Sequence, residues 1–230
     1  MAFKVIRYVP DSGGDRLFDR FLQEYEVVAK IHHANVVRIF DLGIADDHAY
    51  IAMEYLSAGS LAERLNGALQ PERALEYLRQ IASALEAIHG AGVLHRDLKP
   101  GNIMFRGDDS LALIDFGLAK QMELRAAMTG AGQIFGTPYY MSPEQGHAEP
   151  TDARSDIYSL GCIFYEMLTG ERPFTAGTPM GVLYKHANAR RPRLEHGLEI
   201  FQSRLDRMLA VRPADRYQSA AELLEAFEAI

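Results

Sequence analysis

Two short segments constrain this chain of 230 residues more than any others: HRDLKPGNIMF at 95–105 and LIDFG at 113–117. Asp97 and Lys99 stand two residues apart, Asn102 follows, and Asp115 completes the set just before a glycine. Asp and Asn oxygens suit Mg²⁺, a hard cation that prefers oxygen ligands and is commonly shared with substrate phosphates. A lysine beside them can neutralise phosphate charge, and a second aspartate can accept a hydroxyl proton. Those roles together describe phosphoryl transfer. Each residue alone has an ordinary explanation, such as a solvated turn or a turn after a strand. The four in this order and spacing do not. Any fold for the chain must therefore bring residues 97–102 and residue 115 onto one spot.

Around these segments the chain reads as strand-rich first and helical afterwards. Residues 1–9 read as a strand and PDSGGD (10–15) as a turn. Residues 15–31 carry Phe18, Phe21, Leu22, Tyr25 and Val28 at helical spacing. NVVRIFDLG and AYIAMEYL read as the strands of a hairpin joined by IADDH. After SAGS (57–60) the pattern turns helical. Pro71 suits the first turn of a helix whose apolar face is Leu75, Leu78, Ile81, Leu85 and Ile88, closed by Gly90 and Gly92. VLHRD, NIMF and LALID are short strand-like pieces. Residues 118–150 are rich in Gly, Thr, Ser and Pro without a period, and a loop that long in a compact domain is usually functional. Helices return at 155–169, around 180–187, at 200–210 and at 218–229. The changeover near residue 57 is the expected boundary between two lobes, 1–56 and 57–230.

The formal net charge of -7 weighs against a nucleic-acid partner, because phosphate backbones favour basic surfaces. The one cysteine, Cys162 in LGCIFYEML, reads as a small core residue in a reducing compartment. No apolar run reaches the roughly 18 residues of a membrane span, and Arg7 interrupts the opening stretch too early for a signal peptide. The expectation is a cytoplasmic protein, or the cytoplasmic piece of a larger one, without membrane contact in this chain. His32, His33 and His89 lack Cys or carboxylate neighbours at metal-ligand spacing, so zinc is not expected. Asp46-Asp47 and Asp108-Asp109 read as solvated loop tips.

On HRDLKPGNIMF, LIDFG and GTPYYMSPEQ (136–145), the chain resembles the protein kinase superfamily, most closely the bacterial, eukaryotic-type (Hanks-type) Ser/Thr kinases. The resemblance runs from Ala2 to about Phe227. It implies an α+β fold of two lobes, a small β-rich one and a mostly helical large one. It implies Asp97 as the base for the substrate hydroxyl, Lys99 as a Ser/Thr-type phosphate contact, and Asn102 and Asp115 as Mg²⁺ ligands. It puts Thr137 near Asp97, makes Arg216 the buried partner of Glu144, and has Asp156 hold the catalytic-loop backbone. Thr129 becomes the expected autophosphorylation site, with Arg96 as its phosphate partner.

The front of the chain fits the same pattern. MAFK looks like the family's Val-Ala-Ile-Lys strand, so Lys4 would contact the α- and β-phosphates. Ala2 and Lys4 share a strand face, which suits a small residue at adenine beside a cation near phosphate. Lys4 needs a carboxylate from the following helix. Glu24 and Glu26 both lie roughly 100° from the centre of its apolar stripe, so periodicity does not choose. The family register, counted back nine residues from His33 of HAN, returns Glu24, with Glu26 in reserve. IAMEYL (51–56) resembles the hinge, with Met53 as gatekeeper and Glu54 and Leu56 offering backbone groups to adenine. Met104 would close the adenine from below, and His95, Phe116, Val28 and Ile39 would stack as the regulatory spine. ATP and Mg²⁺ are the implied cofactors, protein Ser/Thr hydroxyls the substrate, and a homodimer the form for autophosphorylation.

The family carries two strands and a glycine-rich loop ahead of this strand, whereas only three residues precede Lys4 here, and Gly13-Gly14 follow it. Losing one preorganised donor costs roughly 10²–10³ in rate in an oxyanion hole. The expectation is therefore a cropped or mis-started Ser/Thr kinase, weakly active as written. The alternative is a pseudokinase or interaction module. Against that alternative, Lys4, Glu24, Asp97, Lys99, Asn102 and Asp115 are all present. A small-molecule kinase fits least, because GTPYYMSPEQ resembles a protein-substrate platform.

Overall fold

The computed structural model describes residues 1–7, 25–45, 48–116 and 138–228. Glu24, Thr129 and Thr137 lie outside the described residues, as do Asp46, Asp47, the PDSGGD turn and Phe18, Phe21 and Leu22.

The first strand obeys the period of two. In β1 (Ala2–Arg7), Phe3 and Val5 are 59% and 60% exposed, while Ala2 and Lys4 take the opposite, partly buried face. β2 (Ile39–Ala45) and β3 (His48–Met53) form the expected hairpin, and β3 lies between the other two in an antiparallel sheet of order β1-β3-β2. The register sets Ala2 opposite Met53 and Lys4 opposite Ile51. Residues 25–28 are helical, with Tyr25 and Val28 buried.

Beyond the sheet the chain is mostly helical. α1 (Leu61–Arg64) is a single turn capped by Ser60, whose side chain accepts the Glu63 N–H. α2 (Pro71–Gly90) starts on proline and buries Leu78, Ile81, Leu85 and Ile88 completely. Each such side chain contributes about 1.5–3 kcal/mol relative to leaving it in water. Their spacing turns one stripe toward α4 and α7, described below, while β5 also packs on α2. β4 (Ile103–Phe105) and β5 (Leu111–Leu113) make a second hairpin. α3 (Pro143–Gly146) is a short helix with a reciprocal capping box between Ser142 and Gln145. α4 (Ala153–Thr169), α5 (Pro179–Asn188), α6 (Glu199–Met208) and α7 (Ala220–Glu228) complete the body. A small antiparallel sheet beside a mostly helical mass is the two-lobed α+β arrangement that the sequence implies.

α4 is the helix around which the larger lobe packs. It is buried on nearly every side, Cys162 included, and it ends on Gly170 at φ 75°. A Cβ at Gly170 would stand 2.7 Å from the Ala68 backbone nitrogen, so the left-handed cap and the close approach both require glycine.

Two readings of local structure need correction. VLHRD is not a strand: residues 93–97 run as irregular backbone, with Arg96 at φ 62°. The stretch 118–150, read as a loop, holds α3 at Pro143–Gly146, a single turn too short to show a period in the sequence.

A buried ion pair fastens α3 to the last third of the chain. Arg216 is fully buried and uses all five guanidinium N–H groups. Two go to the Glu144 carboxylate at 2.7 and 2.8 Å, and the others to the Ala210, Arg154 and Val211 carbonyls at 2.7–2.9 Å. Glu144 also accepts the Ser155 hydroxyl at 2.6 Å. Burial pushes the Glu144 carboxyl up, but the Arg216 hydrogen bonds and charge outweigh it and hold it below its ordinary value. A depressed folded value means that this contribution to stability is present above the unfolded pKa of about 4.3 and is lost as pH falls through the folded one. Arg216→Met leaves a buried, unpaired carboxylate. It is expected to cost about 3–5 kcal/mol, or roughly 6–20 °C in Tm for a domain of this size. Thermal unfolding should also show that Arg216→Met with Glu144→Gln is less damaging than Arg216→Met alone.

Candidate active site

The site is built on the loop between α2 and β4. The Asp156 carboxylate, 1% exposed and in the first turn of α4, accepts the His95 N–H at 2.9 Å and the Arg96 N–H at 2.8 Å. His89 Nε2, at the end of α2, donates to the same carboxylate at 2.8 Å. Burial alone would push Asp156 up; the His89 hydrogen bond, the nearby imidazoles and the His95 N–H hold it below its ordinary value. Arg96 is thereby held in the left-handed region, which L-residues other than glycine rarely enter. Its carbonyl accepts Gln145 Nε2 of α3 at 2.8 Å.

Asp97 follows directly. Lys99 Nζ meets Asp97 Oδ2 at 2.7 Å. Asn102, in the Pro100–Asn102 3-10 turn, donates its amide to the Asp97 carbonyl at 2.8 Å and to Oδ2 at 3.1 Å. The Asn102 carbonyl accepts the Ile114 N–H at 3.0 Å, which pins the residue before Asp115 to the same loop. Asp115 sits at φ 55°, and its Oδ1 accepts Lys4 Nζ at 2.7 Å. The fold thus brings Asp97, Lys99, Asn102, Asp115 and Lys4 together from three segments. Among the described residues Lys4 pairs with Asp115; Glu26 is exposed and makes no ion pair with it.

Phe116 is 2% exposed and packs on the His95 ring at 5.3 Å and edge-on to Tyr25 at 6.2 Å. Val28 and Ile39 are buried in the same core. Burial pushes the His95 imidazole below its ordinary value, against the pull of Asp156 and Asp97. Its Nε2 lies 3.1 Å from the Ile114 carbonyl, which accepts from it.

Above this polar floor, Ala2 and Met53 face each other across β1 and β3. Leu56 is buried, and Met104 on β4 bridges to Ser60 just beyond the hinge-like segment. The Glu54 N–H is already donated to the Arg38 carbonyl at 2.8 Å, so Glu54 has only its carbonyl to offer a ligand.

Two contributors to this frame, and one contact away from the site, were not legible as such. His89 read as inert, yet it braces Asp156. Gln145 carried no signal beyond its place after Glu144. Asp109 read as a solvated tip but pairs with Arg64 and, at 3.1 Å, with Arg73.

The donor set fits a divalent cation. With its amide nitrogen turned onto Asp97, Asn102 is left with a side-chain oxygen that receives no donor among the described residues. Asp115 supplies a carboxylate that is 38% exposed. Two oxygens of these types are ligands for a hard cation.

The protein kinase domain family matches residues 1–226, and the chain belongs to that family. It is 36% identical to the serine/threonine-protein kinase PknB of Mycobacterium leprae over 234 residues, covering 97% of this chain and 37% of that protein. It is 38% identical to PknB of Mycobacterium tuberculosis over 238 residues, with the same coverage of each. A probable serine/threonine-protein kinase of Clostridium acetobutylicum is 36% identical over 231 residues, 98% of this chain and 35% of its own length. The chain therefore spans about a third of the length of these relatives. No helix among the described residues is long and apolar enough to cross a membrane.

Asp156→Asn keeps the shape but turns an amide NH₂ toward a ring of donors. One of the His95, Arg96 or His89 donors is then unpaired, at about 1–3 kcal/mol. Because this displaces the loop that carries Asp97, phosphorylation assays are expected to show a fall of about 10²-fold in kcat. Nucleotide affinity should change far less.

Proposed function

We propose that this chain is the catalytic domain of a serine/threonine protein kinase that transfers the γ-phosphoryl group of ATP to protein Ser or Thr hydroxyls. The observation that carries this reading is the convergence of Asp97, Lys99 and Asn102 with Lys4 and Asp115. In this reading Asp97 accepts the proton of the substrate hydroxyl, and Lys99 and Asn102 hold its carboxylate in orientation. Lys99 also offers positive charge to the transferring group. Lys4 contacts the nucleotide phosphates, and Glu24 is its helix partner. Asn102 and Asp115 would hold Mg²⁺, which when bound neutralises charge on the phosphate oxygens. Ala2, Met53 and Met104 enclose the adenine, and the Glu54 carbonyl and the Leu56 backbone bind its edge. The lobes divide near residue 57, into 1–56 and 57–230. Thr129 is a site for autophosphorylation by a second copy of the chain, and the domain works in the cytoplasm.

The test is Mg-ATP-dependent phosphate transfer to a generic Ser/Thr protein acceptor, compared with Asp97→Asn. Removing the base is expected to lower the rate by about 10²–10⁴-fold. Equal rates would overturn the assignment of Asp97. A wild-type chain that binds nucleotide and transfers nothing would favour a pseudokinase.

A further inference from the structure

The geometry points to Arg106 as a positioning residue that sets the height of the nucleotide slot by locking the hinge onto the hairpin beneath it. This rests on the kinase reading above. Arg106 directly follows β4, two residues after Met104 on the floor of the slot. Glu54 directly follows Met53 at the end of β3, where the hinge begins. The two side chains meet fork to fork, Nε to Oε1 at 2.6 Å and Nη2 to Oε2 at 2.9 Å. The remaining nitrogen, Nη1, donates to the Ala34 carbonyl at 2.6 Å. One guanidinium thus joins the hinge, the segment leading into β2 and the β4–β5 hairpin.

The rest of the local bonding shows why this contact controls the slot. The far end of the hinge is already sewn to β4 by backbone: the Ala58 N–H reaches the Phe105 carbonyl at 3.2 Å, and the Phe105 N–H reaches the Gly59 carbonyl at 2.9 Å. Residues 54–59 are therefore a strap held at both ends, and Arg106 supplies the link from β4 at the Glu54 end. The expected adenine contacts, the Glu54 carbonyl and Leu56, lie on that strap. The pair is partly shielded, at 22% and 25% side-chain exposure. The Arg106 hydrogen bonds hold the Glu54 carboxyl below its ordinary range despite some burial, so the carboxylate is charged and fully engaged at neutral pH. A planar fork is needed here; a lysine carries the charge but not the two parallel bonds.

The experiment measures ADP affinity by calorimetry, and KM for ATP with kcat, in Arg106→Gln, Glu54→Gln and the double variant. Asp109→Asn is the control, since it loosens the same hairpin at its Arg64 contact without touching the hinge. Expected is a loss of ADP affinity and a rise in KM of about 3- to 10-fold in either single variant. The change in kcat should be smaller, and the double variant should be no worse than the singles. Arg106→Lys should recover only part of the loss, and Asp109→Asn should lower Tm while leaving ADP affinity intact. Unchanged ADP affinity in both single variants would overturn the inference. So would an affinity loss matched by Asp109→Asn, which would mark Arg106 as a fold contact only. Wild-type chain that binds no ADP would overturn the kinase reading, and this inference with it. Should Arg106→Gln not fold, Glu54→Gln alone decides, because it keeps the shape of the side chain.

Discussion

The first turn of α4 is the constraint on which the rest of this structure depends. Ser155 and Asp156 are adjacent and buried, and they reach in two directions. Asp156 accepts the backbone N–H groups of His95 and Arg96, while Ser155 donates to Glu144, which Arg216 clamps from the other side. A carboxylate near a helix N-terminus is favoured by the helix dipole, which helps explain why one can stay charged at 1% exposure. Removing this turn would separate three things at once: the loop that carries Asp97, the helix α3, and the packing of residues 210–216. The site is therefore not a surface feature laid on a finished core. It is joined to the core by the same few side chains that close it.

That arrangement explains how polar chemistry survives inside a helical body. Burying an unpaired charge costs several kcal/mol, and the buried Arg216 and Asp156 are each multiply engaged. Arg216 spends five donors, and Asp156 takes three. The residues of the cleft itself are less buried, with Lys4 at 31% and Asp115 at 38% side-chain exposure. Their pairing is correspondingly weak and can be exchanged for a ligand at little cost. Strong, saturated pairs hold the frame, and weak, half-exposed pairs line the cleft.

Much of this was legible in the sequence because the chemistry is packed into short segments. Asp97, Lys99 and Asn102 share one loop, so order and spacing alone point to their cooperation. Arg216 with Glu144, and Asp156 with the loop that carries Asp97, followed from the family resemblance, and the structure shows both pairings. VLHRD misled for a physical reason. Its alternation suits a strand, but the His95 and Arg96 N–H groups are spent on a side chain, and φ 62° at Arg96 does not fit a ladder. The Glu54–Arg106 pair was illegible because its members lie 52 residues apart, and an arginine before Gly-Asp-Asp looks like any solvated turn. His89 carried no local sign of its partner, since Asp156 is 67 residues away. Contacts of this separation are set by how helices and hairpins pack, which no local pattern encodes.

The two left-handed residues of the site show where its precision comes from. Arg96 at φ 62° and Asp115 at φ 55° each flank or form the chemical group that matters, and neither is glycine. Such a conformation costs an L-residue of order 1–3 kcal/mol, which is less for Asp, whose short side chain tolerates it. Neither would persist in an isolated loop. Arg96 is held because its N–H goes to Asp156 and its carbonyl to Gln145, so relaxing φ would break bonds on both sides. Asp115 is held between the Ile114 N–H, fixed to Asn102, and Phe116, buried against His95 and Tyr25. In each case the strained residue is bracketed by contacts worth more than the strain. That is why a glycine, which would relieve the strain, would also surrender the orientation of the neighbouring aspartate: the bracket works only on a backbone with few other places to go.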